Sequence, residues 1–212
     1  MRYKYIFFDL DGTVIDSYEA AWATILDTLQ EHNLPLIPED ERTLGIKNVY
    51  KKHAHLADPR ALRNTHLKFQ EKYFHKNTLY PRVIETLTRL KKEGASLAVI
   101  TTSNKLKADY LLKTLHLDQF FEVVITEADV KNLKPHTEPF EKAAERLGIG
   151  ADKKHQMLMV GDTEVDILGA HNYGIHVVAV TYSTYGQSVR DHNPTYTIDT
   201  FDKLLSTVEI TK

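Results

Sequence analysis

YIFFDLDGT, residues 5–13, sets four apolar or aromatic residues directly before two aspartates two positions apart. An uninterrupted run of that length has the pattern of a strand covered on both faces, as in a parallel sheet. A buried strand that ends in acid needs a compensating charge. The reading of these nine residues therefore turns on what the rest of the chain brings to that end.

Four more apolar runs repeat the pattern: LAVI (97–100), VVI (123–125), MLMV (157–160) and VVAV (177–180). Amphipathic stretches lie between them, at 83–92, 105–115, 137–147 and 163–173. Gly94, Gly148 and Gly174 follow three of these, and a glycine just past a periodic stretch stops a helix. Alternating strand and helix predicts an α/β fold with a Rossmann-like, doubly wound parallel sheet. One interval breaks the alternation. Between Asp16 and Tyr80 no strand is evident, Trp22, Ile25, Leu26 and Leu29 recur at helical spacing, and 62–74 gives another helical candidate. The expected organisation is an α/β catalytic core of residues 1–16 plus 81–212, with an inserted α-helical cap at 17–80.

At 212 residues, 42% hydrophobic and 26% charged, the chain has the composition of a globular protein rather than a disordered one. A net charge of −2 gives no electrostatic case for nucleic acid or an anionic membrane. The absence of cysteine excludes disulfides, thiolate catalysis and cysteine-ligated zinc. No stretch approaches a membrane span, and the first apolar run is too short for a signal peptide, so a cytoplasmic protein is expected. The sequence does not distinguish a monomer from a homodimer.

In an open parallel sheet, ligands bind beyond the carboxyl ends of the strands. Asp9 and Asp11 stand beyond the first run, Thr101 and Thr102 beyond the second, and Asp162, Thr163 and Asp166 beyond the fourth. Lys134-Pro135 lies in the loop after the third. Residues two apart in an extended segment point the same way, so Asp9 and Asp11 can both face the site. Carboxylates held together repel, and Mg²⁺, which prefers oxygen ligands, would supply the missing charge. One carboxylate can attack phosphorus while the other manages protons.

DLDGTVIDS, VITTSN, LKP and VGDTEVD together resemble the four motifs of the haloacid dehalogenase-like hydrolases. The cap position and TYSTYG (181–186) resemble the phosphoglycolate phosphatase and β-phosphoglucomutase group within them. The resemblance implies Asp9 as nucleophile, forming an aspartyl-phosphate. It implies Asp11 as acid and base with its backbone carbonyl on Mg²⁺, Asp162 as a metal ligand and Asp166 as a supporting carboxylate. Gly12, Thr13, Thr101 and Thr102 would surround the phosphoryl group, with Thr101 preferred as the binding hydroxyl, and Lys134 would pair with Asp9. In the cap, Lys47 and Asn48 of LGIKNVYKK (44–52) are the expected substrate contacts.

Taken singly, each residue has an ordinary structural reading. Asp162 and Thr163 make a helix cap, Asp166 a solvated helix residue, Lys134 an exposed lysine. Asp9–Gly12 lacks the spacing of an EF-hand loop. His53, His55, His66 and His75 have no third ligand at a zinc-like spacing and read as solvated or capping. The implied activity is an Mg²⁺-dependent phosphatase acting on a small phosphomonoester, phosphoglycolate phosphatase-like. The acid at position 11 favours phosphate esters over carbon–halogen bonds. A β-phosphoglucomutase-type mutase is disfavoured by Ala21 and Asn48, which stand where those enzymes carry histidine and arginine. A pyrophosphatase or nucleotidase stays open. A non-catalytic phosphate-binding regulatory protein would be expected to have lost one of Asp9, Asp11, Lys134 or Asp162, and all four are present.

Overall fold

The computed structural model describes residues 2–38, 45–184, 186 and 189–209. In chain order the strands are β1 (Tyr5–Phe8), β2 (Ile15–Asp16), β3 (Thr78–Leu79), β4 (Ser96–Ile100), β5 (Val123–Ile125), β6 (Met157–Gly161), β7 (His176–Val180) and β8 (Tyr196–Ile198). The α-helices are α1 (Tyr18–Glu31), α2 (Gly45–Lys52), α3 (Pro59–Phe69), α4 (Val83–Lys92), α5 (Lys105–Thr114), α6 (Glu138–Arg146), α7 (Glu164–Tyr173) and α8 (Lys203–Glu209). Two compact units result, residues 1–16 with 79–212, and residues 17–78.

The first unit is built on a six-stranded sheet of order β5-β4-β1-β6-β7-β8, every neighbouring pair parallel. This is the doubly wound order, and the chain reverses its direction of travel across the sheet at β1. Phe8 is level with Val99 on one side and Val160 on the other, so Asp9 follows in line with Ile100 and Gly161. The Asp9 N–H continues the ladder to the Val160 carbonyl at 2.9 Å.

The five apolar runs fall within these strands because both sheet faces are covered. Ile6, Phe8, Leu97, Val99, Leu158 and Val160 pack with α4, α5 and α8, whereas Phe7, Ala98, Ile100, Met157 and Met159 pack with α6 and α7. Alternation thus sends successive apolar residues to opposite covers, and neither face needs a polar side chain. β8 and α8 were not expected from the sequence. Tyr196 and Thr197 of the three-residue β8 are not buried, which leaves an edge strand without a continuous apolar signal.

The second unit has its own core, in which Trp22, Ile25 and Leu29 of α1 meet Val49 and Tyr50 of α2 and Leu62 of α3. The helix expected at 62–74 starts earlier, at Pro59. Asp58 caps it by accepting from the Arg60 N–H at 3.0 Å, and proline at the first turn forfeits no helical hydrogen bond. It passes into 3₁₀ turns at Gln70–Lys76. Of the histidines read as solvated or capping, His53 and His66 are buried, because their ring nitrogens find partners inside. His53 lies 2.9 Å from the Val49 carbonyl and 3.0 Å from that of Pro35, and His66 lies 2.8 Å from the Tyr50 hydroxyl. His55 and His75 are exposed. Among the described residues no helix is long and apolar enough to cross a membrane.

Phe140 anchors the α6/α7 face. It is fully buried, stacked on Tyr173 at 5.6 Å between centroids and 6.4 Å from Phe7. Phe140→Ala is expected to lower the unfolding free energy by about 3–5 kcal/mol through lost burial and the cavity left behind. A urea titration followed by circular dichroism measures it.

Candidate active site

The edge beyond β1, β4 and β6 carries a buried ion cluster. Lys134 enters it from the loop before α6, and its ammonium has three acceptors for three hydrogens: Asp9 Oδ1 at 2.6 Å, Asp166 Oδ1 at 2.6 Å and the Ile100 carbonyl at 2.7 Å. Its side chain is 2% exposed. Asp166, also fully buried, is held on its other oxygen by Thr163, whose N–H and hydroxyl donate to Oδ2 at 3.0 and 2.6 Å. Thr163 is the N-cap of α7 and Asp166 its third residue, so a capping box fixes this carboxylate while leaving Oδ1 for Lys134.

Asp162 completes the cluster. Thr13 donates to its Oδ1 at 3.3 Å and Ser183 to its Oδ2 at 2.8 Å. Gly12 and Gly161 make the room. A Cβ on Gly12, which has a φ of +80°, would lie 2.1 Å from Asp162 Oδ2, and one on Gly161 would lie 2.4 Å from Asp166 Cβ. Asp9, Asp162 and Asp166 each bring a carboxylate oxygen within 4.8 Å of the others.

Three buried carboxylates thus face one ammonium, leaving two negative charges in excess when all are ionised. Burial pushes Asp9 well above the ordinary carboxylate range; Lys134 opposes this, and Asp166 and Asp162 add to it. Burial, then the neighbouring Asp166, raises Asp162 from 3.8 to about 7, against the hydrogen bonds from Ser183 and Thr13. Burial by itself would lower the Lys134 ammonium, but Asp166 and Asp9 outweigh it and raise it. A hard divalent cation fits this donor set, since carboxylate oxygens are what Mg²⁺ prefers and its charge cancels the excess.

Asp11 takes a different course. β1 ends at Phe8, and the Asp11 carboxylate accepts from Lys107 Nζ at 2.6 Å on Oδ1 and from the Ser103 hydroxyl at 2.6 Å on Oδ2. Thr101 is buried directly after β4, where its hydroxyl accepts from the Ser103 N–H at 3.1 Å, while Thr102 is exposed. Asn48 is exposed on α2 of the second unit, and the Lys47 side chain lies outside the described residues.

Ser183 and Lys107 were not among the site residues the sequence suggested. Ser183 follows β7 on the same sheet edge, within the TYSTYG segment, and that position was its available signal. Tyr182 beside it donates to the Thr13 carbonyl at 2.6 Å and so fixes the loop that carries Gly12.

With this geometry in view, comparison with known proteins is specific. Residues 6–180 match the model of the haloacid dehalogenase-like hydrolases, and the chain belongs to that family. It is a phosphatase of that family, similar to the pyrophosphatase PpaX of Bacillus mycoides (34% identical over 97% of this chain and 96% of that one). PpaX of Halalkalibacterium halodurans is 32% identical over 99% of both chains. Among solved structures, a predicted phosphoglycolate phosphatase from Haemophilus somnus superposes with a TM-score of 0.86 at 27% identity, covering 99% of each chain.

The raised Asp162 sets a pH dependence. A carboxyl whose folded pKa lies above its unfolded value binds its proton more tightly when folded. The metal-free protein is therefore expected to lose melting temperature as pH rises from about 4 to about 7. Adding Mg²⁺ at pH 8 is expected to restore it by binding the ionised form, with little effect at pH 5. Differential scanning fluorimetry with and without the ion reads both.

Proposed function

We propose that the protein is an Mg²⁺-dependent phosphatase that hydrolyses a small phosphorylated metabolite through an aspartyl-phosphate on Asp9. The observation that carries this reading is the buried cluster itself: a carboxylate at the topological switch point, gripped by Lys134 at 2.6 Å and flanked by two further buried carboxylates. A structural salt bridge would need only one carboxylate, and burying three is costly unless a cation joins them.

In this reading a carboxylate oxygen of Asp9 attacks phosphorus, and the bond from phosphorus to the leaving-group oxygen breaks. Asp11 gives that oxygen its proton. Water then attacks the aspartyl-phosphate while Asp11 accepts a proton from it, and the bond between phosphorus and Asp9 breaks to release inorganic phosphate. Lys134 favours the ionised form of Asp9 and aims it. The Thr101 hydroxyl and the backbone amides after β4 hold the phosphoryl oxygens, with Gly12 and Thr13 lining the other side. When bound, Mg²⁺ would be held by Asp9, Asp162 and the Asp11 carbonyl with Asp166 in support, and it supplies positive charge against the phosphoryl oxygens.

Pyrophosphate stands first among the substrates to test, because the PpaX relatives match nearly the whole chain, both units included. Phosphoglycolate follows, on the likeness to the Haemophilus somnus structure. Lys47 and Asn48 remain the proposed specificity contacts of the helical unit.

Phosphate release from pyrophosphate, phosphoglycolate, sugar phosphates and nucleotides, with Mg²⁺ or with EDTA, tests the proposal. The expected outcome is Mg²⁺-dependent turnover of at least one of these, lost by more than about a thousandfold in Asp9→Asn. Full activity in that variant would exclude Asp9 as nucleophile.

A further inference from the structure

Lys107 belongs to no motif of the site, yet its ammonium lies 2.6 Å from Asp11 Oδ1. Its side chain is only 15% exposed, beside an Asp11 side chain at 24%. Ser103 reaches the other oxygen at 2.6 Å. Both groups come from one short piece of backbone that the rest of the fold holds firmly. Thr101 donates its N–H to the Ile125 carbonyl and accepts the Ser103 N–H, and Asn104 caps α5 by accepting the Lys107 N–H at 2.9 Å. The amide of Lys107 is thus fixed by the cap while its side chain turns back to the aspartate. Two charge-assisted contacts on different oxygens restrict the rotation of the Asp11 carboxylate about its side-chain bonds.

We infer that Lys107, with Ser103, is a positioning residue that orients the Asp11 carboxylate for proton transfer to the leaving group. The inference rests on the acid–base role proposed for Asp11. It assigns Lys107 no contact with phosphate, and separates it from Lys134, which serves the nucleophile.

The test uses Lys107→Met, which keeps the aliphatic length and removes the charge, together with Lys107→Arg. Substrates are p-nitrophenyl phosphate, whose leaving group departs readily without a proton, and an alkyl phosphate, whose leaving group does not. Asp9→Asn is run alongside, so absence of turnover in the wild-type protein overturns the phosphatase reading rather than the role of Lys107. Lys107→Met is expected to lose about 10- to 100-fold in kcat/KM on the alkyl ester, a loss at least several-fold larger than on the aryl ester. Lys107→Arg is expected to recover most of it. In an Asp11→Asn background the same substitution is expected to cost less than about twofold, because the group it orients is gone. Equal losses on both esters, or losses that add to those of Asp11→Asn, overturn the proposal. A melting curve for each variant separates either result from unfolding.

Discussion

The Lys134 ammonium, sunk between Asp9, Asp166 and the Ile100 carbonyl, is the constraint on which the site depends. An ammonium in a protein interior is tolerated only when its charge and all its hydrogens are met, and here each hydrogen has an acceptor. Those acceptors come from the ends of β1 and β4 and from the first turn of α7. One side chain therefore ties together segments far apart in sequence, and the parallel register of the sheet delivers them to the same level. Displacing the lysine would leave three buried carboxylates facing one another without its charge. The same reasoning explains why the cluster suits a divalent cation: one ammonium compensates one carboxylate and leaves the rest short.

The arrangement divides the two aspartates that opened the chain. Asp9 lies in the buried interior, where burial and the neighbouring acids disfavour its charge and Lys134 favours it. Asp11, two residues on, lies at the rim and answers to a second lysine. The nucleophile and the proton carrier proposed for this site need different surroundings, one shielded and one in touch with departing and arriving groups. Gly12 follows the pair. Its positive φ turns the chain just after Asp11, and its missing side chain lets Asp162 approach from β6.

Much of this was legible in the sequence, and the parts that were not share a physical cause. The β1, β4, β6 and β7 runs stand out because strands covered on both faces cannot afford polar residues, and Asp9 and Asp162 stand out because polar residues just after such runs are conspicuous. Lys134 and Asp166, farther from their strands, were suggested by the motifs. β8 escaped because an edge strand of three residues is only partly covered. His53 and His66 read as solvated or capping because nothing in local composition reveals that their rings are buried against carbonyls or a tyrosine hydroxyl. Lys107 escaped for the same reason: its partner is 96 positions away, and only folding brings them together. Asp9 and Asp11 were expected to face one way by strand periodicity, and that periodicity ends with β1 at Phe8.

The insertion of the helical unit has a consequence in polymer terms. The Tyr80 N–H donates to the Val14 carbonyl at 3.2 Å, and both residues belong to the first unit. The core thus closes its own chain across the insertion, fixing the two exit points side by side. The entropy of closing a loop grows only with the logarithm of its length, about 0.6 kcal/mol for each doubling. A core closed in this way is nearly indifferent to how long the intervening sequence is or what it folds into. Lineages can therefore lengthen, shorten or replace the insertion while the charged cluster and the strands beneath it stay as they are.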